Sequence, residues 1–208
     1  GAFHLASLAA LVLWIMAPSG RRGAFELFLI LLVFAIGTGS FLFHTLATRW
    51  AAGADVAPIG IFMLRYVGYA LRSLAGLNWF LTIAGLALFI AALWYAVQMR
   101  CGGRLCLGGS VGYLPALGAM IVMTALMIIM RRPAWGYFLA GSAVFAVSLT
   151  LRTFDKPWCP NTAITDFGRV GTHFWWHILN ALLLYLLLRA VILYGGGSRA
   201  REAIAPAT

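Results

Sequence analysis

Gly171-Thr172-His173-Phe174-Trp175-Trp176-His177-Ile178-Leu179-Asn180 opens an apolar run that continues through Leu182-Leu183-Leu184-Tyr185-Leu186-Leu187-Leu188 to about residue 195. A run of this length and apolarity is long enough to cross a bilayer as a helix. It also carries two imidazoles four residues apart. On a helix, His173 and His177 share one face, one turn apart. A lipid-spanning segment with a polar, metal-competent face sets the terms for the rest of the chain.

Working outward from that run, six more of similar character come into view, at about 1–17, 23–47, 56–76, 78–99, 111–130 and 134–151. Turn-forming punctuation separates several of them: Pro18-Ser19-Gly20-Arg21-Arg22, Cys101-Gly102-Gly103-Arg104, Arg131-Arg132-Pro133 and Gly195-Gly196-Gly197-Ser198. The longest connection is about 152–170, with no room for a soluble domain. Long runs favour helices over a barrel, because a helix satisfies its backbone hydrogen bonds internally. The expectation is an all-α, polytopic membrane protein: one domain over 1–208, a bundle of seven transmembrane helices.

Composition agrees. The 208 residues are 63% hydrophobic and 10% charged, with mean hydropathy +0.94, against about 25% charged for a soluble domain. The formal charge of +10 would suit nucleic acid. The basic residues, however, stand singly or in pairs at the ends of apolar runs, as interfacial anchors and loop charges do. No nucleic-acid partner is expected, and the membrane itself is. Seven crossings put Arg21, Arg22, Arg72, Arg131, Arg132, Arg199 and Arg201 on one side. Arg49, Arg100, Arg104, Arg152, Lys156 and Arg169 fall on the other, the N-terminal side, a split too even to orient the chain. Cys101, Cys106 and Cys159 share the N-terminal side. There they are either free thiols or, in an oxidising compartment, the source of one disulfide. The preferred orientation has the N-terminus outside and the C-terminus in the cytosol. Abundant Ala and Arg, with Lys156 the only lysine, point to a bacterial inner membrane. The chain opens on Gly1 inside an apolar stretch, so further residues ahead of it are expected. Oligomeric state is not readable from the sequence.

Four histidines are present: His4, His44, His173 and His177. The i, i+4 pair can grip one metal but cannot supply opposed axial ligands to a haem; its alternative is two polar residues lining a helix contact. The topology count places His44, near the end of the second run, at the same depth as the start of the seventh. Three neutral imidazoles and a water make an open tetrahedral zinc site. Ser40 lies one turn deeper than His44 on the same face; it is either functional or a small residue of Gly37-Thr38-Gly39-Ser40 that lets helices approach. Asp55 follows at the start of the third run, as an acid beside the metal, an N-cap, or both. Arg65, mid-run, either faces a polar group or snorkels with Arg72. His4 has no companion at a useful spacing and reads as ordinary packing or as exposure at a clipped end. Arg152, Asp155 and Cys159 read as a loop closed by an ion pair or thiol contact. Phe41, Phe43, Trp175 and Trp176 are either walls of a lipid site or interfacial aromatics.

Ser40-Phe41-Leu42-Phe43-His44-Thr45, Asp55, Asp155-x3-Cys159 and Gly171-Thr172-His173-Phe174-Trp175-Trp176-His177 together resemble the alkaline ceramidase branch of the CREST superfamily of seven-helix membrane hydrolases. The motifs cover about 37–60 and 150–190, the helix pattern nearly the whole chain. The resemblance implies that His44, His173 and His177 bind one zinc ion. It implies that Asp55 handles the attacking water, that Ser40 stabilises the carbonyl oxygen, and that lipid reaches the site within the membrane. The reaction implied is amide hydrolysis of ceramide or a related N-acyl lipid. Eukaryotic members carry an acidic N-terminal calcium-binding segment; no acid precedes Glu26 here, so calcium is not supported. The alternative is a receptor or sensor of the adiponectin/progestin receptor type, with a structural zinc and Asp55 as its fourth ligand. A retinal protein needs a lysine in the last run, which has none. A transporter would need paired broken helices, and none is visible.

Overall fold

The computed structural model describes residues 1–158 and 171–195, with side chains left undescribed at 156–158. Seven helices follow in chain order: α1 Ala2–Met16, α2 Ala24–Leu46, α3 Arg49–Tyr69, α4 Trp79–Gln98, α5 Leu114–Ile129, α6 Trp135–Trp158 and α7 His173–Tyr194. Six of them, α2 to α7, belong to stretches long and apolar enough to cross a membrane; α1, at 15 residues, is shorter. Six helices of this length and apolarity among the described residues are those of an integral membrane protein, and α1 packs among them against α2 and α7. Its outer surface is inverted relative to a soluble protein, with Phe80 79% and Leu88 72% exposed on α4.

Helix starts depart from the hydropathy reading where a cap, rather than apolarity, decides. The third run was expected from about 56, but α3 begins at Arg49 because the Thr48 hydroxyl accepts from the Ala51 N–H, 3.4 Å away. Asp55 is thus in the second turn and is not the N-cap. The sixth run was expected to stop near 151, whereas α6 runs on to Trp158. Arg152 and Asp155 accordingly sit on a helix rather than in a loop. Cys159 lies outside the described residues. Between α4 and α5 a two-residue-strand hairpin, β1 Arg100–Cys101 against β2 Arg104–Leu105, is closed by a disulfide joining Cys101 and Cys106. A 3-10 segment, Cys106–Tyr113, leads into α5.

The core gathers Leu29, Ile30, Val33 and Ile36 of α2, Phe62 and Tyr66 of α3, Phe138 of α6, and Leu187, Leu188, Val191 and Ile192 of α7. Lipid offers no hydrophobic contrast between helices, so close packing and hydrogen bonds between helices hold them. Ser7 Oγ donates to the Ile30 carbonyl at 3.0 Å, Tyr66 Oη to the Leu187 carbonyl at 3.0 Å, and Asn180 Nδ2 to Ser148 Oγ at 2.8 Å. His4 Nε2 lies 3.2 Å from Thr38 Oγ1, and its ring fills the space beside Gly37. His4 therefore packs α1 on α2, as its isolation in the sequence suggested.

The α2–α3 contact is the tightest that bears on function. Two residues, Ala47 and Thr48, join the helices, with Ala47 in the left-handed region at φ 50°. Pro58 sits inside α3, and a proline removes the helical hydrogen bond to the carbonyl four residues earlier, here that of Ala54. Gly39 faces this carbonyl so closely that a Cβ would overlap it. The approach fixes Ser40 and His44 of α2 against Asp55 of α3.

Candidate metal centre

His44 comes from the last turn of α2; His173 and His177 come from the first two turns of α7. One ligand atom from each lies within 4.8 Å of the others. The ring centroids stand 5.7 Å apart for His44–His173, 5.0 Å for His44–His177 and 4.9 Å for His173–His177. Nitrogens at about 2.0–2.1 Å around a tetrahedral ion stand about 3.3 Å from one another. Small side-chain rotations would close these rings on one metal. His177 Nε2 is buried without a hydrogen-bond partner among the described residues, a costly state that a metal would relieve. Imidazole suits zinc, copper, iron and nickel alike, so the donor set fits one transition-metal ion without choosing among them.

Asp155 of α6 aligns the α7 end. Its carboxylate accepts from the His173 N–H at 2.8 Å and from Thr172 Oγ1 at 3.2 Å. It satisfies an otherwise orphan donor and places negative charge at the helix N-terminus. Thr172 Oγ1 also donates to the Leu151 carbonyl at 2.8 Å. The expected closing ion pair is absent among the described residues; Asp155 instead caps the helix that carries two imidazoles.

Ser40 is 7% exposed, and its hydroxyl has no hydrogen-bond partner among the described residues. Ser142 and Thr124, by contrast, donate to the carbonyl four residues earlier, at 2.7 and 2.8 Å. A hydroxyl left free one turn beneath His44 is available to a ligand. Its neighbours Gly37 and Gly39 make the close approaches to His4 and to Ala54. Asp55 is half-buried and within electrostatic range of His44 and Arg152, yet it is not one of the clustered ligand groups.

Beneath the histidines lies an apolar cavity of ≈ 110 Å³, open in part. Ile36 lies one turn below Ser40, Ile59 one turn below Asp55, and Trp176 beside His177; all three line it. Of the four aromatics considered as walls, only Trp176 does so. Phe41 is 62% and Trp175 44% exposed on the outer surface. Arg65 is exposed, with no ion pair among the described residues, in keeping with snorkelling. Sequence reasoning missed Arg152, which lies over Tyr113 and Trp176 at the edge of the cavity. It also missed Glu26, whose carboxylate accepts from Tyr69 Oη at 3.3 Å at the opposite end of the bundle. An acid inside an apolar run was the available signal for Glu26.

No family model, curated protein or solved structure matches the chain.

Proposed function

We propose that the chain is a zinc-dependent lipid amidase of alkaline ceramidase type, cleaving ceramide or a related N-acyl lipid to a fatty acid and an amine. The observation that carries this reading is the three-imidazole group without a protein fourth ligand, set directly above an apolar cavity. A closed structural site needs four protein ligands; among the described residues no acid or cysteine joins the three. That favours catalysis over the receptor reading with a structural zinc.

His44, His173 and His177 would hold the ion, which when bound supplies Lewis acidity and acidifies water to a pKa of about 7. The cavity seats the acyl chain, so the amide carbonyl lies at the level of Ser40 and the histidines. Ser40 Oγ donates to the carbonyl oxygen as negative charge develops there. Asp55 accepts a proton from the attacking water and returns it to the leaving nitrogen as the C–N bond breaks. Water and amide thus become carboxylic acid and amine.

The Cys101–Cys106 disulfide is at the same end of the bundle as the histidines, which supports an extracytoplasmic mouth and an outside N-terminus. A membrane-impermeant thiol reagent, applied to intact cells after reduction, should label these cysteines; labelling only after lysis would reverse the orientation.

The deciding test incubates purified, zinc-loaded protein with ceramide and a panel of other N-acyl lipids and measures released fatty acid. Release that disappears in His173→Ala supports the reading. No release above that control from any lipid rejects it.

A further inference from the structure

Arg152 stands where the histidines meet the cavity. Its guanidinium carbon is 5.0 Å from the ring centroids of both Tyr113 and Trp176, and both of those residues line the cavity. The same side chain is within electrostatic range of Asp55, His173 and His177. Its Nε is buried without a hydrogen-bond partner among the described residues. Among the described residues it forms no ion pair. Asp155, one turn along the same helix, has its carboxylate engaged by the His173 N–H and Thr172.

A guanidinium stays charged under all ordinary conditions and presents a planar fork of donors matched to a carboxylate. The two aromatic faces offset part of its desolvation, but they accept no hydrogen bond from the fork. A cation in this position is costly without an anion. With one, it forms a charge-assisted pair in a low-dielectric setting.

We propose that Arg152 is the anion-recognition residue of this site, and that the lipid bound there has a long apolar chain and a carboxylate beside the histidines. Two sources share that chemistry: a free fatty acid, and an N-acyl amino acid whose carboxylate lies just beyond the amide. The inference rests on the proposed lipid site only for the seating of the acyl chain; it requires no turnover.

The test measures binding of palmitic acid, N-palmitoylglycine and palmitamide to the full-length protein in detergent micelles, by displacement of a fluorescent fatty acid. At least one of the two acids should bind about tenfold or more tighter than the neutral amide, the scale of one charge-assisted hydrogen bond. Which acid wins identifies the source. Arg152→Gln should remove the preference and Arg152→Lys should retain most of it, with thermal melting reporting the fold of each. Because a metal would also attract carboxylates, the comparison is repeated in His177→Ala, where the preference should persist. Equal binding of acids and amide by the wild type overturns the proposal, as does a preference that survives Arg152→Gln or vanishes in His177→Ala. If Arg152→Gln fails to fold, the wild-type, Arg152→Lys and His177→Ala arms still decide. Lipid hydrolysis can fail while this binding pattern holds, and the reverse, so the two readings fall separately.

Discussion

The two ends of the bundle treat their buried ionisable groups in opposite ways. At the end where α2 finishes and α7 begins, His177 Nε2, Arg152 Nε and the Ser40 hydroxyl have no hydrogen-bond partner among the described residues. At the other end Glu26, 6% exposed, accepts from Tyr69 Oη, which also bonds the Gly195 carbonyl at 2.7 Å. Phe25 stacks on the same tyrosine at 4.4 Å. That cluster ties the start of α2, the end of α3 and the end of α7 to one another through one shared phenolic hydrogen, while Trp14 Nε1, in the last turn of α1, is buried without a partner among the described residues. Polar groups within a membrane are expensive. When they satisfy each other they hold helices together; when they remain unpaired around a cavity, they await a ligand.

The strongest way to break this contrast is His177→Ala. It should bring metal content, by elemental analysis, and lipid hydrolysis down to background while leaving the thermal melt near that of the metal-free wild type. Full metal occupancy in that variant would remove His177 from the centre. Next, Ser40→Ala should keep the metal and lower turnover by about 10²–10³-fold, the usual loss for one donor to a developing oxyanion; unchanged turnover would return Ser40 to a packing role. Gly39→Val drives a side chain into the Ala54 carbonyl, and overpacking of this kind costs about 1–3 kcal/mol. It should lower both the melting temperature and activity, since α2 and α3 separate where Gly39 packs on Ala54 and Asp55. The smallest effect belongs to the satisfied end. Tyr69→Phe should cost about 1–2 kcal/mol of stability and leave metal content and turnover unchanged. A turnover defect there would mean that the two ends are coupled.

Much of the fold was legible because hydropathy marks what lies in lipid. It placed α2, α4 and α7 within a residue or two of their observed ends. It failed where helices leave the apolar zone without stopping. Arg49-Trp50-Ala51-Ala52-Gly53-Ala54-Asp55 is only weakly apolar, yet the Thr48 cap starts the helix there. Arg152 and Asp155 ended the sixth run on paper while α6 continued beneath them. The histidine group was legible because i, i+4 spacing and a count of crossings suffice to bring His44 to His173 and His177. Arg152 was not: its partners, Tyr113 and Trp176, come from other segments and only tertiary packing joins them. The seventh crossing expected of residues 1–17 corresponds to α1, which packs in the bundle but is shorter than the other six.

The three imidazoles are divided between the second helix and the last, with 128 intervening residues between His44 and His173. Helices enter a bilayer in the order of their synthesis, so His44, Ser40 and Asp55 are in place long before their partners exist. A ribosome stalled before α7, or a chain truncated there, would leave an inserted but metal-incompetent protein. The three-imidazole group therefore forms only once α7 has been made, and until then the nascent chain carries only one of its three members.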